Sequence, residues 1–145
     1  MRAITIRQPY AGAIFADEQP KEIENRASGT EYRGPLLIHA GQHLADGDAF
    51  ADVERITGAP VPVLGAPLSP SQWAVGAVIG VVDLVAVHTS AECECRCSPW
   101  ALQYRKHLKL ARPRRLARPI PANGKLGIWT PDEELAAAVR KQVTL

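Results

Sequence analysis

Strand-forming runs cut short by proline and glycine set the limits on what this chain can become. Residues 3–7 read as a first strand, stopped by Pro9, and Pro35 to Ala40 is a second apolar run, opened by Gly34. Glu22 to Arg26 alternates charged residues with Ile23 and Asn25, the period of a strand with one polar face. Trp73 to His88 is a long β stretch, or two strands joined at Gly80. Residues 101–110 and 112–117 are basic β candidates, followed by a Pro-Ile-Pro connection and a strand from Lys125 to Trp129. Between these lies Gly58 to Pro70, whose four prolines keep it out of any central strand, because proline has no ladder donor. Helical spacing is confined to three places. Tyr10 to Asp17 is a short helix, and Gln42 to Thr57 carries Leu44, Phe50, Val53 and Ile56 as a stripe weakened by Gly47. Thr130-Pro131-Asp132-Glu133 reads as a capping box opening a final helix, with Pro131 at its first position. Many short strands with few helices predict an α+β fold: a small β-barrel with flanking helices.

At 145 residues the chain is long enough for one cored domain, taken to span 1–145. No run of about eighteen uncharged apolar residues is long enough to span a membrane. Trp73 to Val87 comes closest, and Asp83 interrupts it. The start of the chain has no apolar signal-peptide core, so the expected setting is cytoplasmic, with no membrane partner. Net charge is only +2, but it is unevenly spread. From Arg96 to Arg118 there are eight Lys or Arg residues and no Asp or Glu. Such a stretch is a phosphate-facing surface, with Arg112, Arg114 and Arg115 as nucleic-acid contacts, or a solvated basic strand face.

Charged residues gather where the first strands end. Arg7 and Gln8 precede a helix whose first turn includes Pro9, and a helix start beside an arginine suits an anion. In Lys21-Glu22-Ile23-Glu24-Asn25-Arg26, residues two apart share a strand face, so Glu24 and Arg26 project together with Lys21 at the entrance. A carboxylate between cations can accept from an exocyclic amine such as that of cytosine, or serve as a general base on water. The bland alternative is an exposed salt-bridged strand worth well under ~1 kcal/mol; if the three form one site, Glu24→Gln is expected to abolish recognition or turnover while changing thermal stability little. Tyr10, Tyr32 and Arg33 flank the block, and His39 sits within an apolar run. Cys93, Cys95 and Cys97 form Cys-x-Cys-x-Cys, which could bind zinc with His88 or His107 but lacks paired Cys-x-x-Cys hooks. No residue is therefore assigned as a metal ligand and no cofactor is expected. No serine triad, phosphate-binding glycine loop or dinucleotide fingerprint is present.

Taken in order, these segments resemble an ASCH domain of the PUA-like superfamily. The resemblance rests on the strand-Arg-Gln-Pro-aromatic start, Lys-x-x-Glu-x-Arg, Tyr32-Arg33-Gly34-Pro35-Leu36-Leu37-Ile38-His39-Ala40, and the C-terminal run through Gly124-Lys125-Leu126-Gly127-Ile128-Trp129. It implies a PUA-like barrel with a cleft for RNA or a modified nucleoside. The matching cleft positions are Arg7, Gln8, Tyr10, Lys21, Glu24, Arg26, Tyr32 and Arg33. It also implies a rival role as a hydrolase on RNA or a modified nucleoside, with Lys21 and Glu24 catalytic. Amidohydrolases of the superfamily carry Lys-x-x-Thr-x-Arg and use the threonine as nucleophile. Glu24 stands in that place here, so the nucleophile does not carry over. Whether the chain is an enzyme stays open, as does a third role as a protein-interaction module using the proline-rich loop.

Overall fold

The structure is a computed structural model that describes residues 1–64, 69–93 and 97–145. Residues 65–68 of the proline-rich loop, residues 94–96 with Cys95 and Arg96, and the side chain of Cys93 lie outside the described residues. The strands are β1 (Arg2–Ile6), β2 (Ile23–Arg26), β3 (Gly34–Ala40), β4 (Ala77–Thr89), β5 (Lys106–Pro121) and β6 (Ile128–Trp129). They form one six-stranded sheet in the order β2-β5-β4-β3-β1-β6. Only β1 and β3 pair in parallel, and every other neighbour is antiparallel. The fold is thus α+β, built on a curled mixed sheet.

The curl follows from the two longest strands. β4 and β5 pair with three register shifts, and each such irregularity bends and twists a ladder. Gly80 sits at one of them, where a Cβ would meet Phe15 Cζ at 2.2 Å and the Arg114 carbonyl at 2.8 Å. The bend is deep enough for Arg26, on edge strand β2, to donate from Nη2 to the Thr5 carbonyl of β1 at 2.8 Å. The edge strands β2 and β6 do not pair with each other, so the sheet is a half-barrel and not a closed one.

Two basic segments expected from sequence are one strand. Residues 101–105 are not part of it, and β5 runs through residue 111 to Pro121, with Arg112 at φ 48°. β2 pairs with Lys106 to Lys109 of β5, and Leu110 N donates to the Glu22 carbonyl just before β2 at 2.8 Å. Past Leu110 β5 pairs with no second strand among the described residues, which is where proline's missing donor is tolerated, at Pro113, Pro119 and Pro121. The last strand is shorter than expected, reduced to Ile128–Trp129.

The helices are also shorter. α1 covers Tyr10–Ala13, after which Ile14, Phe15 and Ala16 bond three residues back and tighten the turn. α2 covers Ala49–Thr57 and not Gln42 onward, because Gly47 holds φ at 67°, outside the helical region. A short 3₁₀ turn lies at Ser71–Trp73, and α3 is the single turn Ser90–Cys93. In α4 (Glu133–Arg140) the cap is Asp132, whose Oδ1 accepts from Leu135 N at 2.8 Å. Thr130 and Pro131 thus precede the cap: Asp132 accepts from the N–H three residues on, at Leu135, so the helix opens two residues later than a box begun by Thr130 would open it.

Alternation along the strands divides the core. Ile4, Ile6, Leu36, Ile38, Leu84, Leu108 and Leu110 face the inside of the curl with Ile14 and Phe15. Ala3, Leu37, Val81, Leu116 and Trp129 face the other way, covered by Leu135 and Val139 of α4. A third cluster joins Ala13, Ile23, Val53, Trp73 and Trp100. Among the described residues no helix is long and apolar enough to cross a membrane.

Candidate functional site

β2 delivers Glu24 and Arg26 to one face, and the turn before it delivers Lys21, whose N–H donates to the Ala13 carbonyl at 2.9 Å. Lys21 Nζ donates to Glu24 Oε2 at 2.6 Å and also to the Ile23 carbonyl. Arg26 Nε donates to Glu24 Oε1 at 2.9 Å. The three charged ends therefore converge. Lys21 is 4% exposed and Glu24 8%, so this is a buried ionic cluster rather than a surface bridge. Burying these charges is tolerable only because each is paired and hydrogen-bonded.

The cluster lies in the wall of an open cleft of about 1670 Å³. That is larger than the roughly 300–1,000 Å³ of a typical small-molecule site. Six cations, Arg7, Lys21, Arg26, Arg55, Arg105 and Lys125, line it against Glu24, Asp46 and Asp52. Arg55 is drawn off to Asp52 at 3.3 Å and Arg7 loosely to Asp46 at 3.9 Å. Arg105 and Lys125 have no carboxylate partner among the described residues, though Lys125 Nζ lies 5.7 Å from the centre of the Trp129 ring. Tyr10 also lines the cleft, and burial, then the nearby Asp52 and Glu24 carboxylates, push its phenol above the ordinary range. It stays a hydrogen-bond donor at neutral pH.

Other residues expected at the site sit elsewhere. Gln8 is fully buried: its Nε2 donates to the Gln72 and Ala74 carbonyls at 2.7 and 2.9 Å, and its Oε1 accepts from Gly12 N at 2.8 Å. It is a tie between α1 and the 3₁₀ turn. That bond, with Ala11 N donating to the Arg7 carbonyl, occupies N–H groups that an anion beside Arg7 would need. Tyr32 closes its own turn, its hydroxyl donating to the Pro35 carbonyl at 2.6 Å. Arg33 donates to the Thr30 and Tyr32 carbonyls and borders a separate shallow depression. Neither Tyr32 nor Arg33 lines the cleft.

Arg112, Arg114 and Arg115 also lie outside the cleft lining. Arg112 and Arg114 both pair with Asp83 of β4, Arg114 Nη2 at 2.8 Å, and Arg115 donates to Gln72 Oε1. The carboxylate missing from the basic stretch is thus supplied by the neighbouring strand. These hydrogen bonds and charges hold the Asp83 carboxyl below the usual range, against a smaller opposing effect of burial.

Sequence reasoning passed over Asn25, whose side chain bridges to the 100–102 segment. Its Nδ2 donates to the Trp100 carbonyl at 2.8 Å and its Oδ1 accepts from Leu102 N at 2.9 Å. This fixes the cleft wall made by Trp100 and Leu102. His39 also borders the cleft, with Nε2 2.8 Å from the Ala122 carbonyl and its ring edge-on to Trp129. Burial lowers its pKa, so it is neutral at physiological pH and braces the Gly124 segment packed against its ring. No family model and no curated protein matches the chain.

Proposed function

We propose that the cleft binds RNA or a modified nucleoside, as an ASCH-type domain with a PUA-like half-barrel would. The observation that carries this reading is the convergence of Lys21, Glu24 and Arg26 in the wall of a large, cation-rich cleft. Each Glu24 oxygen accepts one hydrogen bond and keeps a lone pair for an exocyclic amine. Arg26 has N–H groups beyond those given to Glu24 and Thr5, which suit a base carbonyl or phosphate beside that amine. Tyr10, partly buried in the lining, supplies apolar area of the kind a base rests on.

The test is titration of labelled single-stranded RNA and of free cytidine derivatives, followed by anisotropy or calorimetry. Wild-type protein should bind, and Glu24→Gln should weaken binding at least tenfold in folded protein. Failure of both RNA and nucleosides to bind at low salt would overturn the reading. Turnover of the nucleoside, lost with Glu24→Gln, would instead make the cleft a hydrolase site.

A further inference from the structure

Away from the Lys21–Glu24–Arg26 cluster, three metal-ligating side chains meet at one end of the sheet. His88 and His107 are directly opposed residues of the antiparallel β4–β5 pair. Opposed residues project from the same face of a sheet. Their rings meet edge-on with centres 5.4 Å apart. Cys97, from the segment after α3, brings its sulfur to 3.6 Å from His107 Nδ1. One donor atom from each of the three residues lies within 4.8 Å of the others.

We propose that His88, Cys97 and His107 bind a zinc ion. The donor set is what a borderline-soft cation takes, one thiolate and two imidazoles. The spacing fits as well. Bonds of about 2.3 Å to sulfur and 2.05 Å to nitrogen at a tetrahedral angle place the two donors ~3.6 Å apart. The ligands are oriented from behind. His107 Nε2 is 2.7 Å from the Leu102 carbonyl, so it carries the proton and leaves Nδ1 with its lone pair toward Cys97. Metal-binding histidines are held in the required tautomer by this kind of backbone contact. His107 is fully buried, and His88 Nδ1 is buried with no hydrogen-bond partner, a cost that a ligated ion or a second donor would remove. On binding, Cys97 loses its thiol proton to solvent and a sulfur lone pair forms the bond to zinc, so uptake releases one proton. A thiol–imidazole hydrogen bond explains the Cys97–His107 distance, but it leaves His88 without a role.

The proposal is independent of the cleft's ligand, although the two regions touch. Leu102, which accepts from His107, also lines the cleft. A zinc ion would pin the segment after Cys97 to the ends of β4 and β5, and with it the Trp100 wall.

The experiment uses untagged full-length protein, freed of metal by chelation under reducing conditions and titrated with Zn²⁺ and Co²⁺. One equivalent of Zn²⁺ should bind. Co²⁺ should give the intense visible bands of a tetrahedral ion with a thiolate-to-cobalt charge-transfer band. Cys97→Ser should abolish that band, and Cys97→Ser and His88→Gln should each weaken Zn²⁺ binding on the order of a hundredfold. Circular dichroism checks that both variants are folded. If either variant fails to fold, the wild-type cobalt spectrum decides alone. No uptake, a weak octahedral spectrum, or zinc held as tightly by folded Cys97→Ser would overturn the proposal.

Discussion

At the scale of single residues, burial changes what Glu24 is worth. An exposed Lys–Glu–Arg strand would lose little on neutralising the carboxylate. Here Lys21 is 4% exposed and donates to Glu24, so Glu24→Gln leaves a buried ammonium beside Arg26 without a counter-charge. We expect a loss of about 3 kcal/mol in chemical denaturation, because breaking a buried pair from one side is costly. Binding must therefore be compared at a temperature where the variant is folded. Asp83 yields a pH prediction of defined sign. Its carboxyl is held below the unfolded value by Arg114 and Arg112, so the folded state prefers the ionised form. That stabilisation is fully present above about pH 4 and is lost as pH falls through the lower folded value. Asp83→Asn should thus be less stable than wild type at pH 7, with the gap closing in acid. Urea melts from pH 2 to 7 check it, and a gap of constant size would sink the assignment.

At the scale of elements, the β4–β5 pair carries both the curl and the basic stretch. Gly80 lets Phe15 and the Arg114 backbone close on the strand. Gly80→Ala should cost about 1–3 kcal/mol as overpacking, read as a lower midpoint in denaturant. The arginines of β5 belong to the same pair. Changing Arg112, Arg114 and Arg115 to Ala together should destabilise the sheet, because Asp83 is 9% exposed and would lose both cations. RNA affinity in the folded triple variant should change less than in Glu24→Gln. The reverse order would move the nucleic-acid surface back to β5.

At the scale of the whole molecule, the open curl places cations from distant parts of the chain around one space. Arg105 and Lys125 line the same cleft and have no carboxylate partner among the described residues. If RNA phosphates lie there, affinity falls as salt rises, with a log–log slope of about −0.7 per contact for single strands. Arg105→Ala and Lys125→Ala should each flatten that slope by up to about 0.7, measured between about 50 and 200 mM salt. An unchanged slope in both variants would place the phosphates elsewhere.

Alternation and turn chemistry made much of the fold legible in the sequence. Ile4 and Ile6 against Ala3, and Leu36 and Ile38 against Leu37, announce two faces, because side chains on a strand alternate whatever the partner. The spacing of Glu24 and Arg26 likewise put both on one side of β2, and local geometry needs no tertiary information for that. What lay beyond reach were the partners supplied by remote strands. Asp83 neutralises arginines 29 and 31 residues away, and Thr5 takes the Arg26 guanidinium from 21 residues away. Gln8 reads as a site residue beside Arg7, yet the 3₁₀ turn some 64 residues on claims its amide. His88 and His107 become neighbours only through the register of two long strands, and Cys97 reaches them only after the chain doubles back. The sequence by itself determined roughly where strands lie, which side chains share a face and the local grouping of charge, since these depend on backbone geometry over a few residues; strand ends and the merging of two basic segments into β5 did not follow from it. Only the tertiary structure decided which charges are buried, which are already paired and which line the cleft, because burial and pairing depend on where a curled sheet brings its far edges.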